Sequence, residues 1–148
     1  MQVKRIAGAL GAEIKGVDLG QTLTPEVSSV IRDLLNEHEV LFFRQQAIEP
    51  AQQRDLASIF GPLQTHPAYG TVEGIPEVMI LESTADKPSK IEVWHSDMTF
   101  RQHAPSVTVL RGMVIPNVGG DTLFASMTSA YDALSEGMKV YLDGLVAV

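Results

Sequence analysis

The seven residues Trp94-His95-Ser96-Asp97-Met98-Thr99-Phe100 are the most informative segment of this sequence. They lie in the stretch 91–100, which is predicted to be a β-strand. Side chains two positions apart on a strand point to the same face, so His95 and Asp97 would present an imidazole and a carboxylate side by side. Two such groups are two corners of the two-histidine, one-carboxylate face that holds non-haem Fe(II) and leaves positions open for oxygen chemistry.

The pair is also open to other interpretations. Short motifs of this kind arise by chance, and a histidine hydrogen-bonded to an aspartate inside a strand needs no metal. Zinc sites also accept histidine and carboxylate ligands, so a metal hydrolase built on His95 and Asp97 is a further alternative.

The segments around this motif predict a mainly β chain. Apolar runs separated by glycine and proline turns are typical of a β-sandwich or jelly roll. The predicted strands are 78–81, 91–100, 107–115 and 122–124, with a turn at 116–120. The polar loop 83–90 precedes the motif and is predicted to be a lid over a pocket.

Helices are predicted before and after these strands along the chain. Thr24, Pro25 and Glu26 form a typical helix start, and apolar residues follow at helical spacing. Further predicted elements are two short strands within residues 1–20, a strand at 40–43, a helix at 50–60 ended by Gly61-Pro62, and a helical stretch at 127–145 that restarts at Ser135.

Composition excludes several classes of protein. The formal net charge is −7, which disfavours binding to nucleic acid and to anionic membrane surfaces. There is no cysteine, so disulfides, thiolate metal sites and cysteine nucleophiles are excluded. No apolar run is long enough to cross a bilayer, and the first residues do not form a secretory signal. These features predict a cytoplasmic protein.

Several spaced motifs resemble the taurine dioxygenase (TauD/TfdA) family of Fe(II)/2-oxoglutarate oxygenases. The order and spacing match the WH-[ST]-D-x-[ST]-F and GGDT blocks of that family, and the resemblance covers nearly the whole chain. The matching segments are 94–100, Gly119-Gly-Asp-Thr-Leu-Phe124, Ala130-Tyr-Asp-Ala-Leu134, Gly11-Ala-Glu-Ile-Lys-Gly-Val-Asp-Leu19, Val40-Leu-Phe-Phe-Arg44 and Phe60-Gly-Pro62.

The resemblance implies a fold and a set of site residues. The fold would be α+β and mainly β, a double-stranded β-helix (jelly roll) with flanking helices. His95 and Asp97 would be iron ligands, and Thr122 would hydrogen-bond a carboxylate of the co-substrate 2-oxoglutarate. His66 and Tyr69 would contact the substrate. The structural alternatives are a hairpin-closing residue for Thr122, a loop histidine for His66 and a packed tyrosine for Tyr69.

The implied reaction hydroxylates a small organic acid with dioxygen, while 2-oxoglutarate is decarboxylated to succinate. Ile91 departs from the family pattern, because taurine enzymes carry an amide side chain at this position. The departure favours a more apolar sulfonate, an alkyl sulfate or a carboxylate over taurine.

The second histidine ligand of the family, and the arginine that pairs with 2-oxoglutarate, come from a distal segment that has no match here. The chain also ends in the apolar run Gly144-Leu-Val-Ala-Val148, which is interpreted as a strand. Residues 1–148 are therefore predicted to be the N-terminal part of a single dioxygenase domain. His38 is expected to be solvated at a helix end, and His103 to lie in a loop.

A non-catalytic remnant that binds a partner or forms homo-oligomers is the alternative to the enzyme. Missing strands would leave unpaired edges exposed, and exposed edges favour association.

Overall fold

The structure is a computed structural model that describes residues 1–84, 86–88, 91 and 93–146. The chain divides into two compact units. The first contains Met1–Val17, Val30–Gln45 and the segment from Gly112 onward, and the second contains Asp18–Ser29 and Gln46–Arg111.

The first unit is built on a three-stranded sheet. Its strands are β1 (Gln2–Arg5), β2 (Ala12–Lys15) and β3 (Leu41–Phe43), in the order β1-β2-β3. β1 and β2 are antiparallel, with Val3 opposite Ile14, whereas β2 and β3 are parallel. Ala12 and Ile14 of β2 are buried, so the middle strand carries the apolar centre of the sheet. The two N-terminal strands and the strand near 40–43 confirm the sequence prediction.

Helix α1 (Pro25–His38) begins as the sequence predicts. The Thr24 hydroxyl oxygen accepts a hydrogen bond from the backbone N–H of Val27, 3.3 Å away, which satisfies one of the unpaired donors of the first turn. The pKa of the Glu26 carboxyl is lowered, because this group accepts hydrogen bonds from the Glu26 backbone N–H and from the Thr24 hydroxyl. Ile31 of α1 is fully buried.

Two short helices follow in the first unit, α3 (Met127–Asp132) and α4 (Glu136–Leu142). Ser126 and Ser135 cap them, each accepting a hydrogen bond from a backbone N–H of the first turn. The predicted restart at Ser135 is confirmed. The Ser126 hydroxyl also donates to Glu39 Oε1 at 2.8 Å, which anchors α3 within this unit.

The second unit combines helix α2 (Pro50–Ser58) with a hairpin of β4 (Thr71–Val72) and β5 (Ile75–Met79). Pro50 occupies the first turn of α2, and the Gln52 side chain accepts from the backbone N–H of Glu49. α2 packs against β5, and the buried side chains of this unit include Ile48, Leu56 and Val78.

The α+β class is confirmed, but the predicted strands at 91–100, 107–115 and 122–124 are wrong for the part of the chain that the structure describes. Between Met79 and Met127 the described residues form turns and segments without regular structure. A strand requires a hydrogen-bonded partner, which an apolar run does not supply by itself. The two small sheets are not a complete jelly roll.

Parts of two further predictions lie outside the described residues: positions 85, 89 and 90 of the predicted lid, and positions 147 and 148 of the predicted terminal strand. Among the residues that are described, no helix is long and apolar enough to cross a membrane.

Candidate metal site

The His95–Asp97 motif lies on a turn rather than on a strand. Residues 94–96 have no regular structure, and residues 97–100 form the turn. Met98 adopts a positive φ of 52°, and the backbone N–H of Arg101 donates to the Met98 carbonyl at 3.0 Å, which closes the turn. The prediction that this motif lies on a β-strand is therefore wrong.

The turn nevertheless brings the two side chains together. His95 Nε2 lies 3.5 Å from Asp97 Oδ1, and both side chains are about half exposed, at 48% and 47%. The expected imidazole–carboxylate pair is present, although it arises from a different backbone geometry.

A hydrogen bond to another group of the same chain orients each of the two side chains. His95 Nδ1 lies 2.9 Å from the carbonyl oxygen of Val93. A carbonyl only accepts hydrogen bonds, so Nδ1 carries the proton and a neutral ring keeps its lone pair at Nε2. The Thr108 hydroxyl donates to Asp97 Oδ2 at 2.7 Å, which leaves Oδ1 as the oxygen nearest to the imidazole.

This arrangement fits a metal ion with two of its ligands. Bonds from first-row metals to imidazole nitrogen and carboxylate oxygen are about 2.1 Å long, so a single ion could contact two atoms that are 3.5 Å apart. Metal-binding histidines usually donate their other ring N–H to a carbonyl or carboxylate, as His95 does. No group of three suitable side chains occurs among the described residues, so His95 and Asp97 account for two of the three corners of a facial site.

The predicted substrate-contacting residues also lie together. The centroids of the His66 and Tyr69 rings are 4.8 Å apart, and the His66 and Phe100 rings lie edge-to-face with their centroids 6.1 Å apart. Phe100 is the last residue of the turn that carries Asp97. His66 Nδ1 accepts from the backbone N–H of Ala68 at 3.1 Å, so a neutral ring carries its proton at Nε2.

The loop that carries His66 is attached to the segment that follows the metal motif. Arg101 donates to Gln64 Oε1 at 3.1 Å and to the Thr65 carbonyl at 2.8 Å. Gln64 in turn donates to the His103 carbonyl at 3.2 Å. Sequence reasoning missed Arg101, Gln64 and Thr108, because these contacts join positions 11 to 39 residues apart and leave no local pattern.

The structure also describes the other three residues discussed from the sequence: Thr122, His38 and His103. Thr122 is exposed in a segment without regular structure and belongs to the first unit, so its contact with 2-oxoglutarate stays a prediction. The prediction for His38 is wrong: its side chain is buried, with Nε2 3.8 Å from Glu37 Oε1. His103 lies in a loop and is exposed, as expected.

The second unit also contains a cavity of about 280 Å³ between residues 19–23 and α2. Its polar lining residues are Gln21, Thr22, Gln52, Asp55 and Ser58. None of the predicted site residues lines it. The candidate metal site is therefore an exposed turn and not this cavity.

An α+β chain with an oriented imidazole–carboxylate pair fits the class of non-haem metal proteins. Comparison with known proteins narrows this class to one family. The family described as "Taurine catabolism dioxygenase TauD, TfdA family" matches residues 2–148, and the chain belongs to it.

Individual relatives agree with this assignment. An alkylsulfatase from Acinetobacter baylyi is 38% identical over 149 residues, which cover 100% of this chain and 46% of the relative. An α-ketoglutarate-dependent sulfate ester dioxygenase from Pseudomonas putida is 34% identical over 149 residues, covering 100% of this chain and 49% of the relative.

Solved structures agree as well. The crystal structure of a taurine dioxygenase from Burkholderia xenovorans superimposes with a TM-score of 0.81 at 36% identity, covering 97% of this chain and 51% of that one. The chain thus spans about half the length of the proteins it matches.

Proposed function

We propose that the full-length protein containing this chain is an Fe(II)- and 2-oxoglutarate-dependent dioxygenase that hydroxylates small organic acids. The observation that carries the proposal is the oriented pair, with His95 Nε2 and Asp97 Oδ1 3.5 Å apart. Because a facial iron site takes three protein ligands, the proposal includes a third ligand outside the described residues.

The residues of this chain would perform three tasks. His95 and Asp97 would hold the iron, Thr122 would hydrogen-bond a carboxylate of 2-oxoglutarate, and His66 and Tyr69 would donate hydrogen bonds to an anionic substrate. When bound, iron and 2-oxoglutarate would supply the oxidising power for placing one oxygen atom of dioxygen into a substrate C–H bond, with the other oxygen atom taken up in succinate and carbon dioxide released.

We propose alkyl sulfate esters as the substrate class. Ile91 is an apolar side chain, 59% exposed, at the position where the family resemblance places an amide in taurine enzymes. Two relatives are named for sulfate ester chemistry. Hydroxylation of the carbon that bears the sulfate oxygen gives a product that collapses to an aldehyde and inorganic sulfate, so this chemistry releases sulfate without a hydrolytic step.

The comparisons do not favour the alternative of a non-catalytic remnant, since the relatives are named as enzymes. A cytoplasmic location and the oligomeric state stay predictions.

The decisive experiment measures the visible charge-transfer absorption of the full-length protein with Fe(II) and 2-oxoglutarate under anaerobic conditions. We expect a band that His95→Ala abolishes. His103→Ala is the matched control, because it removes an exposed loop imidazole from the same unit, and it should retain the band. A full-length wild-type protein without the band would contradict the proposal.

The substrate class is tested by product analysis. With a medium-chain alkyl sulfate, oxygen consumption should be matched by equal amounts of succinate, aldehyde and inorganic sulfate. Taurine should be consumed more slowly than the alkyl sulfate. Sulfate release with zinc in place of iron and without oxygen would instead indicate a hydrolase.

A further inference from the structure

We infer that Thr108 is a positioning residue for the metal site. Its hydroxyl holds Asp97 Oδ2 at 2.7 Å and so presents Oδ1 toward His95 Nε2. The inference rests on the proposed function, because it assigns a role to a residue that supports a proposed iron ligand.

Rotation about the last side-chain bond of an aspartate turns the plane of its carboxylate and so changes the directions in which its two oxygens point. A hydrogen bond from a hydroxyl to a carboxylate is charge-assisted and is about twice as strong as a bond between neutral groups. The Thr108 bond therefore restrains this rotation, with Oδ2 held by the hydroxyl and Oδ1 left facing the imidazole. The oxygen that it leaves for the metal is the one 3.5 Å from the imidazole nitrogen.

The backbone next to Thr108 is held by a hydrogen bond from helix α2. The carbonyl of Val109 accepts a hydrogen bond from the Gln53 side chain of α2 at 3.1 Å. The helix thus holds the backbone next to Thr108, within the same compact unit as the metal motif. Thr108 itself is exposed, so its hydrogen bond to Asp97, rather than burial, orients the hydroxyl.

Thr108 and Val93 have parallel roles at the two ligands. The Val93 carbonyl keeps the ring proton of His95 on Nδ1, and the Thr108 hydroxyl orients the Asp97 carboxylate. Groups that orient metal ligands in this way typically change metal affinity by ~10- to 100-fold when they are lost. Only the Thr108 contact uses a side chain, so substitution can test it directly.

The test is titration of the full-length protein with Mn²⁺ alone, followed by the electron paramagnetic resonance signal of the free ion. Thr108→Val keeps the shape of the side chain but removes the donor, and we expect its dissociation constant to rise ~10- to 100-fold. Thr108→Ser keeps the hydroxyl and should stay within about threefold of wild type. Ser106→Ala, which removes a nearby exposed hydroxyl, is the matched control and should also bind as wild type does.

Unchanged Mn²⁺ affinity in Thr108→Val would overturn the inference, and so would equal losses in Thr108→Val and Thr108→Ser. A wild-type protein that does not bind Mn²⁺, or one whose affinity is unaffected by His95→Ala, would overturn the proposed function itself. If His95→Ala weakens binding while Thr108→Val does not, only the role of Thr108 fails. Circular dichroism of each variant verifies that the fold is retained.

Discussion

At the scale of single residues, His66 and His95 offer opposite groups to a ligand. His95 Nδ1 faces an acceptor, the Val93 carbonyl, so in a neutral ring Nε2 carries a lone pair that can bind a cation. His66 Nδ1 accepts from the Ala68 N–H, so its Nε2 is a donor that suits an anion. The backbone around each ring therefore prepares one histidine for iron and the other for a sulfate or sulfonate oxygen in the proposed reaction.

Gly11 illustrates a residue that the backbone conformation requires. Its φ is +95°, and a Cβ added there would lie 3.1 Å from Ile6 Cγ1. Gly11→Ala should therefore lower the free energy of unfolding by about 1–2 kcal/mol, measured by urea denaturation.

Gly8 provides the matched control for Gly11. It lies in the same connection between β1 and β2, its φ is not positive, and a Cβ there would meet no atom within 4 Å. Gly8→Ala should be neutral or slightly stabilising. Equal effects at both positions would contradict the strain argument.

The sequence predicted His95, Asp97, His66 and Tyr69 as members of a site, and the structure forms both pairs. The sequence could not reveal the residues that orient these side chains. Thr108 acts on Asp97 across 11 positions, and that contact depends on how the chain folds rather than on a local pattern. The burial of His38 was missed for the same reason, since solvation at a helix end depends on what packs against it.

At the scale of elements, helices were predicted better than strands. The starts of α1 at Pro25, of α2 at Pro50 and of α4 after Ser135 all follow from capping chemistry within a few residues. Strand pairing depends on distant partners, and the expected strands between 91 and 124 were wrong in the part of the chain described.

The hairpin of β4 and β5 was predicted only in part. The sequence indicated a strand at 78–81, whereas the structure forms β5 at Ile75–Met79 and pairs it with Thr71–Val72. A local signal was present: Gly74 has a φ of +76° in the two-residue connection between Val72 and Ile75. Glycine in such a connection is typical of a tight hairpin turn.

The loop that carries His66 and Tyr69 owes its position to Arg101. The guanidinium donates two hydrogen bonds to the loop, at Gln64 Oε1 and the Thr65 carbonyl. We expect Arg101→Ala to increase the amide hydrogen exchange of residues 64–69 by at least about tenfold, because it removes two hydrogen bonds from a charged group, each worth about 1.5 kcal/mol, and 1.4 kcal/mol corresponds to a factor of about ten.

Two further variants make this experiment specific. Gln64→Ala should have a smaller effect in the same direction, because only one of the two hydrogen bonds that it removes, the one from Arg101, involves a charged group, whereas the one to the His103 carbonyl is neutral. Arg111→Ala removes an equal charge from the same unit and should leave the loop unchanged. Exchange that is equally fast in Arg101→Ala and Arg111→Ala would show that charge, rather than the hydrogen bonds, controls the loop.

At the scale of the whole molecule, much apolar surface of the first unit is exposed. Val114, Val118 and Val146 are 92%, 90% and 82% exposed, and Phe124 is buried only in part by its edge-to-face contact with Phe42. Extensive exposure of large apolar side chains is unusual for a folded protein and often marks an interface. The relatives are about twice as long as this chain, so we expect the rest of the full-length protein to cover these side chains.

This expectation can be tested by comparing the 148-residue chain, expressed by itself, with the full-length protein. The shorter chain should bind the dye ANS strongly and should associate with rising concentration in sedimentation velocity, because its exposed valines bury apolar surface when chains meet. Val118→Asp should weaken this association, whereas Asn117→Asp adds the same charge in the same segment without removing apolar surface and should weaken it less. A 148-residue chain that stays monomeric and binds no more ANS than the full-length protein would show that these side chains are not an uncovered interface.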